Sequence, residues 1–109
     1  MAIHYVALLS RRNGLSLDEF LKAWLGEHAE LAAALPLVRE VRFMPAISKD
    51  AFAGDCDGAG ILVYDSIDAL ETSLKSDQAR LLRAHTATFA DAASVVRVVV
   101  ESTSGGWPE

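Results

Sequence analysis

Cysteine is nearly absent: Cys56 is the single one, so no internal disulfide can close. That usage belongs to a reducing compartment, and the cytoplasm is the expected location. Proline is also scarce, at 3 in 109 residues, which excludes a proline-rich linker. No stretch reaches the ~20 apolar residues of a membrane span. The opening MAIHYVALLSRR has its charges after the apolar run, the reverse of a secretory signal, and reads as a strand. Positive charge is in deficit, with 10 Lys and Arg against 15 Asp and Glu, a net charge of −5. Nucleic acid and anionic membrane are therefore not expected as partners. No GxGxxG follows a strand and no GxxxxGK[ST] occurs, so no phosphate-cradling loop is expected. The 3 histidines and Cys56 lack zinc spacing, so neither metal nor cofactor is expected. No hydrolase triad pattern is visible, and Cys56 sits in an acidic loop between Asp55 and Asp57, not the electropositive setting of a reactive thiol.

What the chain does have is apolar content, 51% against 23% charged residues. That composition and length describe one domain, residues 1–101, followed by a flexible tail, 102–109, unless Trp107 docks. A chain this short leaves roughly a third of its potential surface in water, which favours self-association.

The most informative stretch is Gly14 to Pro36. Ser16 followed by Glu19 is a capping-box pattern, and Pro36 stops the helix that begins there. At about 100° per residue, Leu17, Phe20, Trp24, His28, Leu31 and Leu35 fall within an arc of roughly 80°. Leu21, Leu25 and Ala32 widen that stripe, while Glu19, Lys22, Glu27 and Glu30 lie opposite. His28 thus points into an apolar face.

Around this helix, Ile3 to Leu9 reads as a strand buried on both faces. Val38 to Met44 is a second strand, and Pro45 to Asp57 a loop long enough to be a lid or binding loop. Gly58 to Tyr64 is the third strand. Ser66 caps a helix near Ile67 to Lys75, with Ile67, Leu70 and Leu74 inward, and Ser76-Asp77 caps another running to about Ala93. On the latter, Leu81, Leu82, His85, Phe89 and Ala92 share an arc of roughly 120°. Val95 to Glu101 is a valine strand broken by Arg97. The order βαββααβ is close to a ferredoxin-like α+β fold, a four-stranded antiparallel sheet with helices on one face. Its first and last strands are apolar on both faces. The bare side of the sheet is therefore expected to face a second copy, in a homodimeric α/β barrel.

Three histidines and two arginines are the candidates for chemistry. His28 is either a structural histidine bonded to a backbone carbonyl or a general acid–base at a cavity; an apolar setting lowers its pKa and leaves a proton-accepting ring. His85 is either a satisfied core residue or a second catalytic group. His4, on strand one, either pairs with a neighbour or faces a ligand. Trp24 and Phe20 are core residues or a ligand-stacking wall. Arg42 and Arg97 interrupt apolar strands and need an anionic partner: Glu40, Glu101, or a ligand carboxylate or phenolate.

Leu15-Ser16, Phe20, Trp24, His28-Ala29, Leu31 and Leu35-Pro36 resemble the first-helix signature of the EthD family, within the dimeric α/β-barrel superfamily. The resemblance continues in Asp57-Gly58, Tyr64-Asp65-Ser66, and Phe89 with Asp91, whose expected use is capping or pairing with Arg97. Ser76-Asp77, Ala84-His85 and Phe89 resemble the pattern of methylmuconolactone methylisomerase, which places a histidine at His85. Strand three reads Gly60-Ile61-Leu62 where many members carry a glutamate. The resemblance implies a barrel that binds a small apolar or aromatic ring compound. Two classes of function follow: a cofactor-free isomerase, cyclase or lactone-rearranging enzyme, or a non-catalytic accessory protein of a degradation pathway. A small monooxygenase is a third.

Overall fold

β1 (Ile3–Leu9) runs down the middle of a four-stranded sheet, antiparallel to β3 (Gly58–Tyr64) on one side and β4 (Val96–Glu101) on the other. β2 (Glu40–Pro45) pairs with β3, giving the order β2-β3-β1-β4. Pro45 closes β2 on the sheet edge, where a missing N–H costs no ladder bond. The computed structural model describes residues 2–47 and 54–102. Part of the expected 45–57 loop, with Phe52, and the tail beyond Ser102, with Trp107, lie outside the described residues.

The helices pack on one face of the sheet. The first begins as α1 (Leu17–Ala23), widens into a π turn (Trp24–His28) and resumes as α2 (Ala29–Ala33). The sequence predicts one uninterrupted helix to about Leu35; the π turn and an earlier stop at Ala33 are the differences. α3 (Ile67–Leu74) and α4 (Asp77–Phe89) follow β3, each N-capped by a serine hydroxyl, Ser66 and Ser76. α4 ends at Phe89 rather than near Ala93, and a short 3₁₀ turn (Ala92–Ser94) leads into β4.

Register decides which side chains meet the helices. Opposed residues of antiparallel strands share a face. Tyr5 stands opposite Leu62 and Val99, and Ala7 opposite Gly60 and Arg97, on the helix side. His4, Val6 and Leu8 stand opposite Val63, Ile61 and Ala59 and opposite Val100, Val98 and Val96, on the other side. Arg42 and Met44 join that second face through Ile61 and Ala59.

Two buried clusters fill the helix side. One gathers Ile3, Leu35, Leu62, Tyr64 and Leu70; the other gathers Leu9, Phe20, Trp24, Phe89 and Ala90. Three residues expected inside, Leu25, Ile67 and Leu81, are 45%, 46% and 53% exposed. Each lies on the flank of a helix whose buried line is narrower than the arc suggests; on α4 that line is Ala79, Thr86 and Phe89. The opposite sheet face is uncovered in the single chain, leaving Leu8, Met44, Val96, Val98 and Val100 in solvent. An apolar patch of that kind marks an interaction surface.

Candidate functional site

The capping box fixes where the first helix starts. Ser16 Oγ accepts from the Glu19 N–H at 3.1 Å, and Glu19 Oε1 accepts from the Ser16 N–H at 2.9 Å. From there Phe20, Trp24 and His28 descend along the inner side, with 0%, 1% and 6% exposure. The π turn carries Trp24 through His28, a distortion that recurs where proteins place functional side chains. Trp24 stacks on Phe43 at 5.1 Å between ring centres. Its indole reaches the start of β3, where a β carbon on Gly58 would stand 2.6 Å from Cζ3. Asp57, just before, anchors that corner: its Oδ2 accepts from the Arg11 N–H at 2.7 Å, and its N–H donates to the Leu9 carbonyl at 2.7 Å. The Asp57-Gly58 pair thus holds the strand end and makes room for the indole.

His28 lies among aromatic rings, edge-on to Phe89 at 4.9 Å and alongside Phe43 at 6.0 Å. Its Nδ1 is 3.0 Å from Nδ1 of His85 on α4. His85 Nε2 is in turn 3.2 Å from Glu27 Oε2. The chain Glu27–His85–His28 therefore runs from an exposed carboxylate to a buried imidazole. Glu27 and His28 are consecutive in the π turn and both reach the same partner ring.

The arrangement constrains the protons. A carboxylate only accepts, so His85 presents Nε2–H to Glu27. A neutral His85 then has a lone pair at Nδ1 and accepts Nδ1–H from His28, which leaves His28 Nε2 unprotonated. Burial, and secondarily the charge of His85, lowers the His28 pKa from 6.5 to about 4, so the ring is neutral at pH 7. Among the described residues nothing hydrogen-bonds its Nε2, and no sealed side-chain nitrogen lacks a partner. The His28 ring lines the adjacent cavity, of about 90 Å³ between sheet and helices.

His28, Trp24 and Arg97 line this cavity, with Tyr5, Ala7 and Phe43 among the sheet residues. His85 stands behind His28. Phe20 packs against Trp24 and Phe89 in the core, away from the lining. His4 and Arg42 lie on the opposite sheet face, and Arg42 Nη2 is held by Glu40 Oε1 at 2.7 Å. The expected use of Asp91 is not found: its side chain makes no cap bond, and among the described residues it does not pair with Arg97. Glu27, Phe43 and Arg83 were not expected here. The spacing Ala79, Leu82, Arg83, Thr86 on α4 carries the signal for Arg83, since all four line the cavity. Among the described residues no group of three or more His, Cys, Asp or Glu is placed to hold a metal ion.

The family model of the EthD domain matches residues 12–93. Among solved structures, the chain is similar to an EthD family protein from Bacillus halodurans, with TM-score 0.83 at 16% identity, covering 94% of this chain and 100% of that one. SnoaB of Streptomyces nogalater, described as a cofactor-independent oxygenase, aligns with TM-score 0.69 at 14% identity over 99% and 98% of the two chains. A dimeric ferredoxin-like protein from Thermobifida fusca aligns with TM-score 0.66 at 23% identity over 92% and 90%. At these identities the likeness shows a shared ferredoxin-like fold. No curated protein matches the sequence.

Proposed function

The chain belongs to the EthD domain family, and from that premise we propose that it is a cofactor-free proton-transfer enzyme acting on a small, largely apolar or aromatic ring compound. The observation that carries this reading is the Glu27–His85–His28 chain ending at the cavity wall. His28 Nε2 takes a proton from a carbon next to a carbonyl, and the C–H electron pair moves into the carbonyl as an enolate. The Nδ1 proton of His28 passes to His85 Nδ1, making an imidazolium paired with Glu27. Return of the proton to a different carbon gives an isomer; attack of the enolate on a second carbonyl gives a cyclised product. The apolar lining excludes the water that would otherwise solvate the base.

The protein works as a homodimer in this reading, with the uncovered valine face of each sheet buried against the other. The competing accessory role gives no use to a carboxylate–imidazole pair behind a buried base. SnoaB, a neighbour in fold, is described as a cofactor-independent oxygenase, and oxygen uptake during turnover separates that chemistry from isomerisation.

The test is solvent exchange. Cyclic enones and unsaturated lactones, neutral and carboxylate-bearing, incubated with the protein in deuterium oxide are expected to gain deuterium next to the carbonyl, and His28→Ala to reduce this to background. No exchange across the panel, with the His28 resonance unmoved by every compound, overturns the reading.

A further inference from the structure

Two guanidiniums, Arg83 and Arg97, line the cavity, and among the described residues no carboxylate does. The protein carries 15 acidic residues and a net charge of −5, so this local excess of cations runs against its overall balance. The ion pairs among the described residues engage Arg11, Arg39, Arg42 and Arg80, leaving Arg83 and Arg97 without an acidic partner there. Arg97 projects from the helix side of β4 opposite Ala7, itself a lining residue. Arg83 Nη1 donates to the Leu74 carbonyl at 3.2 Å, which steadies the guanidinium and leaves the rest of its donor fork free. Both arginines are exposed while His28 is buried, so the cations stand where the cavity meets water and the base lies inside. Thr86 adds no donor, since its hydroxyl is given to the Leu82 carbonyl at 3.0 Å.

We propose that the ligand is a carboxylate, its anionic end held at the cavity mouth by Arg83 and Arg97 and its apolar body directed at His28. This rests on the reading of His28 as the base and adds the substrate class to it. Arginine stays charged at every physiological pH, and its planar fork matches two carboxylate oxygens. Clamped at one end, the ligand has few ways to turn, so a fixed C–H meets Nε2. The same lining disfavours a cationic ligand outright.

Benzoate and its neutral isostere benzamide test the idea. Each is titrated into the full chain, with binding followed by calorimetry and by the His28 imidazole resonance. Benzoate is expected to bind at least about tenfold tighter than benzamide, the range of one charge-assisted hydrogen bond. That preference should shrink in Arg83→Gln and in Arg97→Gln, and in raised salt, while benzamide binding stays unchanged. Equal affinities, with both compounds moving the His28 resonance, overturn the carboxylate assignment and leave the base reading standing. A His28 resonance that responds to neither compound overturns both. Both arginines are exposed, and unchanged thermal unfolding of the variants confirms that loss of preference is not loss of fold.

Discussion

His28 is neutral at pH 7 because it is deprived of water. Its pKa of about 4 lies below the ordinary 6.5, so between those values the unfolded chain binds a proton that the folded chain refuses. Stability should therefore fall as pH drops from about 6.5 to 4 and change no further below that on account of this group, a loss of up to roughly 3 kcal/mol. Denaturant titrations at fixed protein concentration across that range check it, with His28→Gln expected to flatten the profile. His85 matters to the same ring. His85→Leu strands the Nδ1–H of His28 in an apolar setting, and the loss of one buried hydrogen bond should cost about 1–3 kcal/mol by chemical denaturation. The sequence made His28 and His85 legible as histidines on apolar stripes, because periodicity alone places them. It hid their meeting, since contact between two helices depends on a crossing that no spacing encodes. It also put Glu27 on the solvent side, which is true of its backbone position and silent about where its carboxylate reaches.

At the scale of elements, the π turn is what the 100° spacing does not reveal. A regular helix and one with an extra residue in a turn show nearly the same apolar pattern over Phe20, Trp24 and His28, so the wheel cannot tell them apart. The strands are legible almost to the residue: β2 spans Glu40–Pro45 against the expected Val38 to Met44, and β4 begins at Val96 rather than Val95. Alternation of side chains is a local property, and the pairing of β1 with both neighbours follows from its apolar faces. Trp24 links helix and sheet through Gly58. Gly58→Ala forces the indole or the strand to shift and should destabilise by about 1–3 kcal/mol through overpacking, whereas Trp24→Ala, which empties a buried site, should cost about 3–5 kcal/mol. Thermal or denaturant unfolding of the pair ranks them; a neutral Gly58→Ala would mean that the indole relaxes without strain.

For the whole molecule, the uncovered sheet face is where the proposed second copy would dock. Leu8, Val96, Val98 and Val100 lie 39%, 59%, 51% and 43% exposed in the single chain, an apolar row along one face of the kind that marks an interaction surface. Sedimentation at micromolar protein should give twice the chain mass. Val98→Asp, at the centre of that face, should shift the species toward the single-chain mass without removing the cavity on the other side. A well-behaved wild-type monomer would remove the barrel from the account.

The pleat of β1 separates two tasks by parity. Odd positions, Tyr5 and Ala7, look toward the cavity, and even positions, His4, Val6 and Leu8, look toward the expected second copy. Substitutions can thus redraw one task while the other is left intact, which lets ligand preference diverge on a constant assembly. Insertion or loss of a single residue in the strand does the opposite. Every downstream side chain changes sides at once, so that His4 or Val6 would enter the cavity as Tyr5 or Ala7 left it. In this strand, length is under tighter constraint than identity.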